Sequence, residues 1–129
     1  SPTIVLDGAG KPVIVTGSPG GSRIIAYVVK ALVAQIDWQL DPAEAASLPN
    51  LAAQGPMFVL EDPGRSLTDM LSRRSEWLAT LDRVTALKAL GQQVRLEPLT
   101  SGIHTIVRRP DGTLEGGVDP RREGQAVGD

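Results

Sequence analysis

The chain has 129 residues, of which 41% are hydrophobic and 22% charged, a balance typical of one globular domain rather than a disordered segment. Its net charge is −2 and its basic pairs are interleaved with acids, which excludes an electrostatic basis for binding nucleic acid or an anionic membrane. The chain has no cysteine and one histidine, which excludes disulfides, thiolate chemistry and a histidine-rich metal site; we expect neither a metal ion nor a cofactor.

The first third of the chain predicts a β-hairpin followed by a helix. Residues 3–6 and 12–16 are short β-branched runs, and the DGAG stretch at 7–10 is typical of a hairpin turn. Residues 22–37 are apolar around most of the helix circumference, which predicts a helix buried on several sides. Their β-branched content leaves a strand as the alternative, and the run is too short to span a bilayer.

The middle of the chain predicts two further helices. Residues 42–47 predict a single short helix. Ser66, followed three residues later by Asp69, predicts a capping box at the start of a long amphipathic helix. Gly91 is a typical residue to follow the last helical turn, and Ser75 is a point at which the helix can divide in two.

Short strands separate and follow these helices. They are predicted at residues 57–61, 93–96, 103–109 and 113–118. Because strands with local hairpin connections alternate with helices, the order of elements predicts an α+β fold in which helices cover an antiparallel sheet. We expect a single domain over residues 1–129.

A glycine pair lies between the predicted second strand and the helix, in the stretch Ser18-Pro19-Gly20-Gly21-Ser22. The stretch has neither the lysine of a P-loop nor the glycine spacing of a dinucleotide fingerprint. We expect Ser18 to cap the helix and Pro19 to be its first residue, which leaves the N–H groups of Gly20 and Gly21 open to a ligand oxygen. The residues alone leave two interpretations open, an oxyanion or anion site and a plain structural turn.

Two segments carry a family resemblance, SPTIVLDGAGKPVIVTGSPGGSRI at residues 1–24 and DGTLEGGVDPRREGQAVG at 111–128. Together they resemble the γ-glutamyltransferase family, whose members are N-terminal nucleophile hydrolases. The resemblance implies part of an αββα sandwich and identifies the chain as the C-terminal segment of a small subunit. The stretch 49–56 departs from the family pattern, which leaves the subfamily open.

The resemblance also implies an activity. Family members transfer or hydrolyse γ-glutamyl groups from glutathione-type donors through an acyl-enzyme, and a glycine pair donates two backbone N–H groups to the oxyanion. On this chain the implied oxyanion donors are Gly20 and Gly21, with Ser18, Pro19 and Ser22 in support. The family's nucleophile is an N-terminal threonine that self-cleavage exposes upstream of this segment. Thr3 lies inside a predicted strand, so we expect no nucleophile in this chain and no activity from the chain alone.

The implied partners are the remainder of the small subunit, the large subunit and a γ-glutamyl small molecule, with no nucleic acid and no membrane. The family implies a periplasmic or extracellular location. Neighbours missing from the chain predict exposed apolar surface and self-association of the isolated chain. The alternative is a non-catalytic remnant or interaction module that needs a partner chain.

Three polar residues near the end of the chain have plainer interpretations. We expect His104 to be a surface or partly packed strand residue rather than a proton-transfer group. We expect Asp119 and Arg121 to form a structural ion pair that closes the C-terminal segment, rather than a catalytic acid with its partner.

Overall fold

The computed structural model describes residues 2–64 and 66–128, without the side chain of Leu67. Within these residues the strands are β1 (Thr3–Leu6), β2 (Pro12–Gly17), β3 (Leu51–Gln54), β4 (Met57–Glu61), β5 (Gln93–Glu97), β6 (His104–Arg108) and β7 (Leu114–Val118). The α-helices are α1 (Ile24–Ile36), α2 (Pro42–Ser47), α3 (Leu67–Ser72) and α4 (Arg74–Ala89). The chain divides into two compact units, a first unit of Ser1–Leu48 with Thr100–Asp129 and a second unit of Pro49–Leu99.

The first unit is built on a four-stranded sheet in the order β1-β2-β6-β7, and every neighbouring pair is antiparallel. β1 and β2 form the predicted hairpin, in which the Asp7 carboxylate accepts the N–H groups of Ala9 and Lys11 at 2.9 Å each. The central pair joins β2 to β6, with Ile14 opposite Val107. The sheet therefore combines strands from the two ends of the chain.

Two helices complete the first unit. α1 confirms the helix prediction over the strand alternative, and it buries Tyr27, Val28 and Ala31. Its Gln35 accepts a hydrogen bond of 3.1 Å from the Thr105 hydroxyl of β6, which ties the helix to the sheet. The helix α2 confirms the prediction at 42–47 and begins with a capping box formed by Asp41 and Glu44.

A glycine allows α2 to lie close to the sheet. A Cβ atom on Gly117 of β7 would be 2.2 Å from both the carbonyl carbon and the oxygen of Pro42. Real Cβ atoms do not approach backbone atoms this closely, so any side chain at this position must separate the helix from the strand.

The second unit contains a three-stranded sheet in the order β3-β4-β5, with β3 antiparallel and β5 parallel to β4. The strand β3 and the parallel β4–β5 pair were not predicted, and they add a second, mixed sheet to the predicted antiparallel one. Parallel neighbours need a crossover connection, and α3 and α4 lie in the connection between β4 and β5. The predicted capping box of Ser66 and Asp69 is present, the helix divides at Arg73 rather than Ser75, and Gly91 follows α4 with φ +79°.

The four-stranded sheet has an exposed apolar face. Ile4, Val15 and Ile106 lie in one row across β1, β2 and β6, and each is between 42% and 59% exposed. Leu6 and Leu114 are also exposed, by 54% and 65%. A sheet face in contact with water is normally polar, so this face has the composition of a buried layer. Within the described residues, no helix has the length and apolar character needed to cross a membrane.

Candidate active site

The glycine pair follows β2 in a loop that only glycine adopts without strain. Gly20 has φ +142° and Gly21 has φ +58°. A short 3₁₀ turn, Gly21–Arg23, connects the loop to α1. Among residues 2–64 and 66–128, no acceptor receives a hydrogen bond from the N–H group of Gly20 or Gly21. Two consecutive backbone donors are therefore available to a ligand oxygen.

The two glycines have different surroundings. A Cβ atom on Gly20 would be 2.6 Å from Cε2 of Tyr27, so the buried Tyr27 ring packs directly against this residue. A Cβ atom on Gly21 would have no neighbour within 4 Å. The pair therefore rests on the Tyr27 ring through Gly20 and is open at Gly21.

The predicted role of Ser18 as a helix cap is wrong. The Ser18 side chain is 6% exposed, its Oγ donates to the Pro19 carbonyl at 2.7 Å, and it accepts the N–H group of Gly102 at 3.1 Å. Pro19 precedes the helix instead of opening it, and Gly20 occupies the cap position of the 3₁₀ turn without a side-chain hydrogen bond. A tertiary contact from a residue 84 positions later therefore replaces the local capping interaction. Ser22 lies within the 3₁₀ turn and is exposed.

A buried carboxylate holds the C-terminal segment. Asp119 is 1% exposed, and its Oδ1 accepts the backbone N–H and the Nη1 of Arg121 at 2.9 Å each. Its Oδ2 accepts the hydroxyl of Ser101. Burial raises the pKa of Asp119, but the hydrogen bonds from Ser101 and Arg121 and the charge of Arg121 outweigh burial and hold the pKa below its ordinary value.

Arg121 extends this contact to the end of α2. Its Nη2 donates to the carbonyl oxygens of Ser47 at 3.2 Å and Leu48 at 3.1 Å. A cation at these carbonyls complements the negative end of the helix. The predicted Asp119–Arg121 ion pair is present, and it fastens α2 to the C-terminal segment.

The other candidate residues lie in regular structure. His104 is an exposed residue of β6, as predicted, and its Nδ1 is 3.2 Å from the Gly102 carbonyl oxygen. Thr3 lies in β1 opposite Thr16, within the predicted strand. In the part of the chain that the structure describes, no group of three or more acidic, histidine or cysteine side chains is arranged to hold a metal ion.

Comparison with known proteins places the chain in a family. The model of the gamma-glutamyltranspeptidase family matches residues 1–129. The chain is 40% identical over 121 residues to the glutathione hydrolase proenzyme of Escherichia coli (strain K12). This match covers 94% of the present chain and 18% of the Escherichia coli protein. It is 28% identical over 130 residues to the glutathione hydrolase proenzyme of Bacillus subtilis (strain 168). This match covers 99% of the present chain and 20% of the Bacillus subtilis protein.

Solved structures give the same result. The chain resembles the crystal structure of a Helicobacter pylori gamma-glutamyltranspeptidase mutant with a TM-score of 0.73 and 30% identity, over 95% of this chain and 60% of that one. The chain therefore belongs to the gamma-glutamyltranspeptidase family, and the predicted family and fold class are confirmed. It spans about a fifth of the length of the curated relatives it matches.

Proposed function

We propose that this member of the family supplies the oxyanion-stabilising part of a γ-glutamyl transferase or hydrolase, and that the nucleophile lies in another part of a longer protein. The observation that carries the proposal is the loop of two consecutive glycines at positive φ whose N–H groups have no acceptor among the described residues. Donors fixed in place before the reaction stabilise a developing oxyanion without reorganisation, which makes them effective in acyl transfer.

The chemistry assigns distinct roles to the pair and to the missing nucleophile. A threonine hydroxyl attacks the γ-glutamyl carbonyl carbon, and the carbonyl oxygen becomes an oxyanion that accepts the N–H groups of Gly20 and Gly21. Collapse of this intermediate breaks the amide bond and forms the acyl-enzyme, and the proton that the threonine hydroxyl has lost passes to the leaving amine. Water or a second amine then attacks the acyl group, and the same donors stabilise the second oxyanion. Ser18, Pro19 and Ser22 support the loop.

The substrate class follows from the relatives. Two of them are named glutathione hydrolase proenzymes, and glutathione carries a γ-glutamyl amide. We extend this class of donor to the present protein. The periplasmic or extracellular location that the family implies is part of the same proposal, and fractionation of cells that express the full protein tests it.

The exposed apolar face of the four-stranded sheet supports a role for further chain segments. Ile4, Val15 and Ile106 present to solvent the composition of a buried layer. We assign this face to the remainder of the small subunit and to the large subunit. The isolated chain should therefore self-associate, and light scattering that reports a monomer over a wide concentration range would contradict this assignment.

A substitution at Gly21 tests the oxyanion role. We use a chimaeric proenzyme in which residues 1–129 replace the matching segment of the Escherichia coli protein. Gly21→Val disfavours φ +58° and displaces the donors, so kcat for a γ-glutamyl anilide should fall by about 10²–10³-fold. KM should change less, because the donors favour the transition state over the substrate. Kinetics are measured only on protein that has completed self-cleavage.

The matched control is Gly10→Val. Gly10 lies in the β1–β2 turn, has φ +77°, and like Gly21 has no atom within 4 Å of a Cβ position. A valine at position 10 therefore strains the backbone in the same way as a valine at position 21, but in a turn separate from the glycine pair. If processed Gly21→Val and Gly10→Val have similar kcat values, the glycine pair is a structural turn and the non-catalytic alternative is favoured.

The isolated chain tests the position of the nucleophile. Residues 1–129 alone should not hydrolyse a γ-glutamyl anilide above background, because Thr3 lies inside β1 and we assign the attack on the substrate's carbonyl carbon to a threonine outside this segment. Turnover by the purified chain that Thr3→Ala abolishes would place the nucleophile within this segment.

A further inference from the structure

The loop that precedes β6 contacts Ser18 and Pro19, the two residues directly before the glycine pair. This loop, residues 100–103, is called the Ser101 loop. The N–H group of Gly102 donates to Ser18 Oγ at 3.1 Å, and both residues are buried. Ser18 lies two positions before Gly20, so this hydrogen bond fixes the backbone at the entrance to the glycine pair.

The Ser101 loop also contacts Pro19, the residue directly before the pair. A Cβ atom on Gly102 would be 2.9 Å from Cγ and 3.1 Å from Cδ of Pro19, and 2.6 Å from Cδ of Arg122. Gly102 is not among the glycines with positive φ, so space rather than backbone conformation requires glycine here. Because Pro19 is joined to Gly20 by one peptide bond and its ring is rigid, a displacement of Pro19 must displace the pair.

The buried carboxylate of Asp119 anchors the Ser101 loop on its other side. Ser101 Oγ donates to this carboxylate, and the N–H group of Asp119 donates to the Ile103 carbonyl at 2.8 Å. Arg122 Nε donates to the Ser101 carbonyl at 3.1 Å. Ser101 is 0% exposed and Asp119 1% exposed, so water does not compete for these bonds. The loop is thus held between the C-terminal segment and the entrance to the glycine pair.

We propose that the Ser101 loop is the positioning element of the oxyanion donors, with Gly102 and Ser101 as positioning residues. Gly102 allows the loop to lie close to Pro19 and donates a hydrogen bond to Ser18, while Ser101 holds the loop against the buried carboxylate of Asp119. The proposal rests on the proposed function of Gly20 and Gly21 and names the residues that keep their N–H groups in place. Neither positioning residue touches the substrate.

The first experiment needs no activity. In the processed chimaeric proenzyme labelled with nitrogen-15 at its glycines, Gly102→Ala should shift the amide resonances of Gly20 and Gly21, because the new methyl group collides with Pro19 as well as with the Arg122 side chain. The control is Gly8→Ala, since a Cβ at Gly8 has no neighbour within 4 Å and Gly8 also lacks positive φ. It should leave both amides in place. Equal shifts in the two variants, or none in either, would overturn the proposal.

The second experiment measures the chemistry. In the processed chimaeric proenzyme, Gly102→Ala should lower kcat by about 10- to 100-fold, because small misplacements of catalytic groups have large effects on rate, while KM changes little. Gly8→Ala should retain both constants. A merely structural defect would reduce the fraction of active enzyme and would be visible as a lower active-site titre. Normal kcat per active site in Gly102→Ala would overturn the proposal.

A second pair of variants covers the case in which Gly102→Ala does not fold. Ser101→Ala removes the hydrogen bond to Asp119, and Ser101→Thr keeps the hydroxyl. The alanine variant should lower kcat per active site, and the threonine variant should recover part of it. Equal loss in both variants would overturn the role of the hydroxyl. If Gly21→Val itself retains kcat, the proposed function fails; if Gly21→Val loses kcat and the Ser101 loop variants do not, only the positioning proposal fails.

Discussion

Among the described residues, both units bury apolar side chains, but the buried charged side chains lie in the first unit. The first unit buries charged and polar side chains that are all hydrogen-bonded, among them Asp119, Lys30, Gln35 and Ser101. In the second unit, all residues of α4 are described, and Thr80 is the one that the helix buries. Its Leu78 and Leu81 are 52% and 48% exposed. The first unit therefore combines its apolar core with a network of buried polar contacts, whereas α4 of the second unit buries little of its surface against the described residues.

This difference indicates where geometry matters for the proposed chemistry. A buried polar group is costly unless its partners are all in place, so a network of such groups permits one arrangement of the chain. The first unit contains this network and the glycine pair. Substitutions in the first unit should therefore have larger and more widespread effects on stability than substitutions in the helices of the second unit.

The largest effect is expected for Asp119→Ala. Removal of the carboxylate leaves the guanidinium of Arg121, which is 18% exposed, without its ionic partner and Ser101 without its acceptor. Loss of one member of a buried ion pair typically lowers the free energy of unfolding by about 3–5 kcal/mol. Urea denaturation of the isolated chain measures it, with every variant at the same protein concentration because the chain is expected to self-associate. The control Glu123→Ala, at an exposed position of the same segment, should change the free energy of unfolding little, and equal losses in the two variants would contradict the role of the Asp119 contacts.

Acidification should weaken the same contact reversibly. The pKa of Asp119 in the folded chain lies below its ordinary value of 3.8. Its stabilising contribution is therefore complete above that value and is lost as the pH falls through the folded-state pKa. Other carboxylates also titrate in this pH range. The measurement is therefore the urea midpoint of the unsubstituted chain minus that of Asp119→Asn, followed as the pH is lowered. If the urea midpoints of the two proteins fell in parallel with pH, the stabilising role of the Asp119 carboxylate would be contradicted.

Gly117→Ala should have an intermediate effect. The new methyl group collides with the backbone of Pro42, so α2 must move away from β7. Overpacking of this kind typically lowers the free energy of unfolding by about 1–3 kcal/mol. Gly8→Ala, which has free space around its Cβ position, is the control for thermal and urea denaturation. A Gly117→Ala chain as stable as the control would show that the close approach of α2 is dispensable.

The smallest effect is expected in the second unit, for Ser66→Ala. Ser66 accepts the N–H group of Asp69 at 3.0 Å, and loss of a helix cap typically costs about 1 kcal/mol. Hydrogen exchange should accelerate within α3 and leave the first unit unchanged. Ser72→Ala, which removes a hydroxyl bonded to the Thr68 carbonyl, is the control at the other end of α3. Faster exchange throughout the chain would show that the helix cap contributes to global stability.

Local chemistry explains which parts of the fold were predictable. The β1–β2 hairpin, the capping box of Ser66 and the glycine after α4 are decided by a few neighbouring residues, and each was predicted correctly. The strand β3 was not predicted because its Ala52 and Ala53 have low strand propensity. They are held in a strand by antiparallel pairing with β4, which the local sequence does not reveal. The parallel β4–β5 pair depends on residues more than thirty positions apart, for which the sequence pattern carries no signal.

The same distinction holds for the candidate site. The pattern around Gly20 and Gly21 was visible because adjacent glycines before a helix are unusual locally. The partner of Ser18 was not visible, because Gly102 lies 84 positions away and Ser-Gly before a strand is an ordinary turn sequence. The Ser101 loop had no sequence signal beyond Gly102 itself. The local sequence thus predicts the glycine pair itself, whereas the contact that holds Ser18 beside it comes from a distant part of the chain.

The order of strands in the first unit has a consequence for folding kinetics. During synthesis the β1–β2 hairpin can form early, but β2 pairs with β6, whose Val107 lies opposite Ile14. Until β6 emerges, the inner edge of β2 keeps unpaired N–H and C=O groups, which can pair with other chains. Closing so long a loop also carries an entropic cost that slows formation of the sheet. The second unit is contiguous in sequence, so it can complete its pairing before the central strands of the first unit meet.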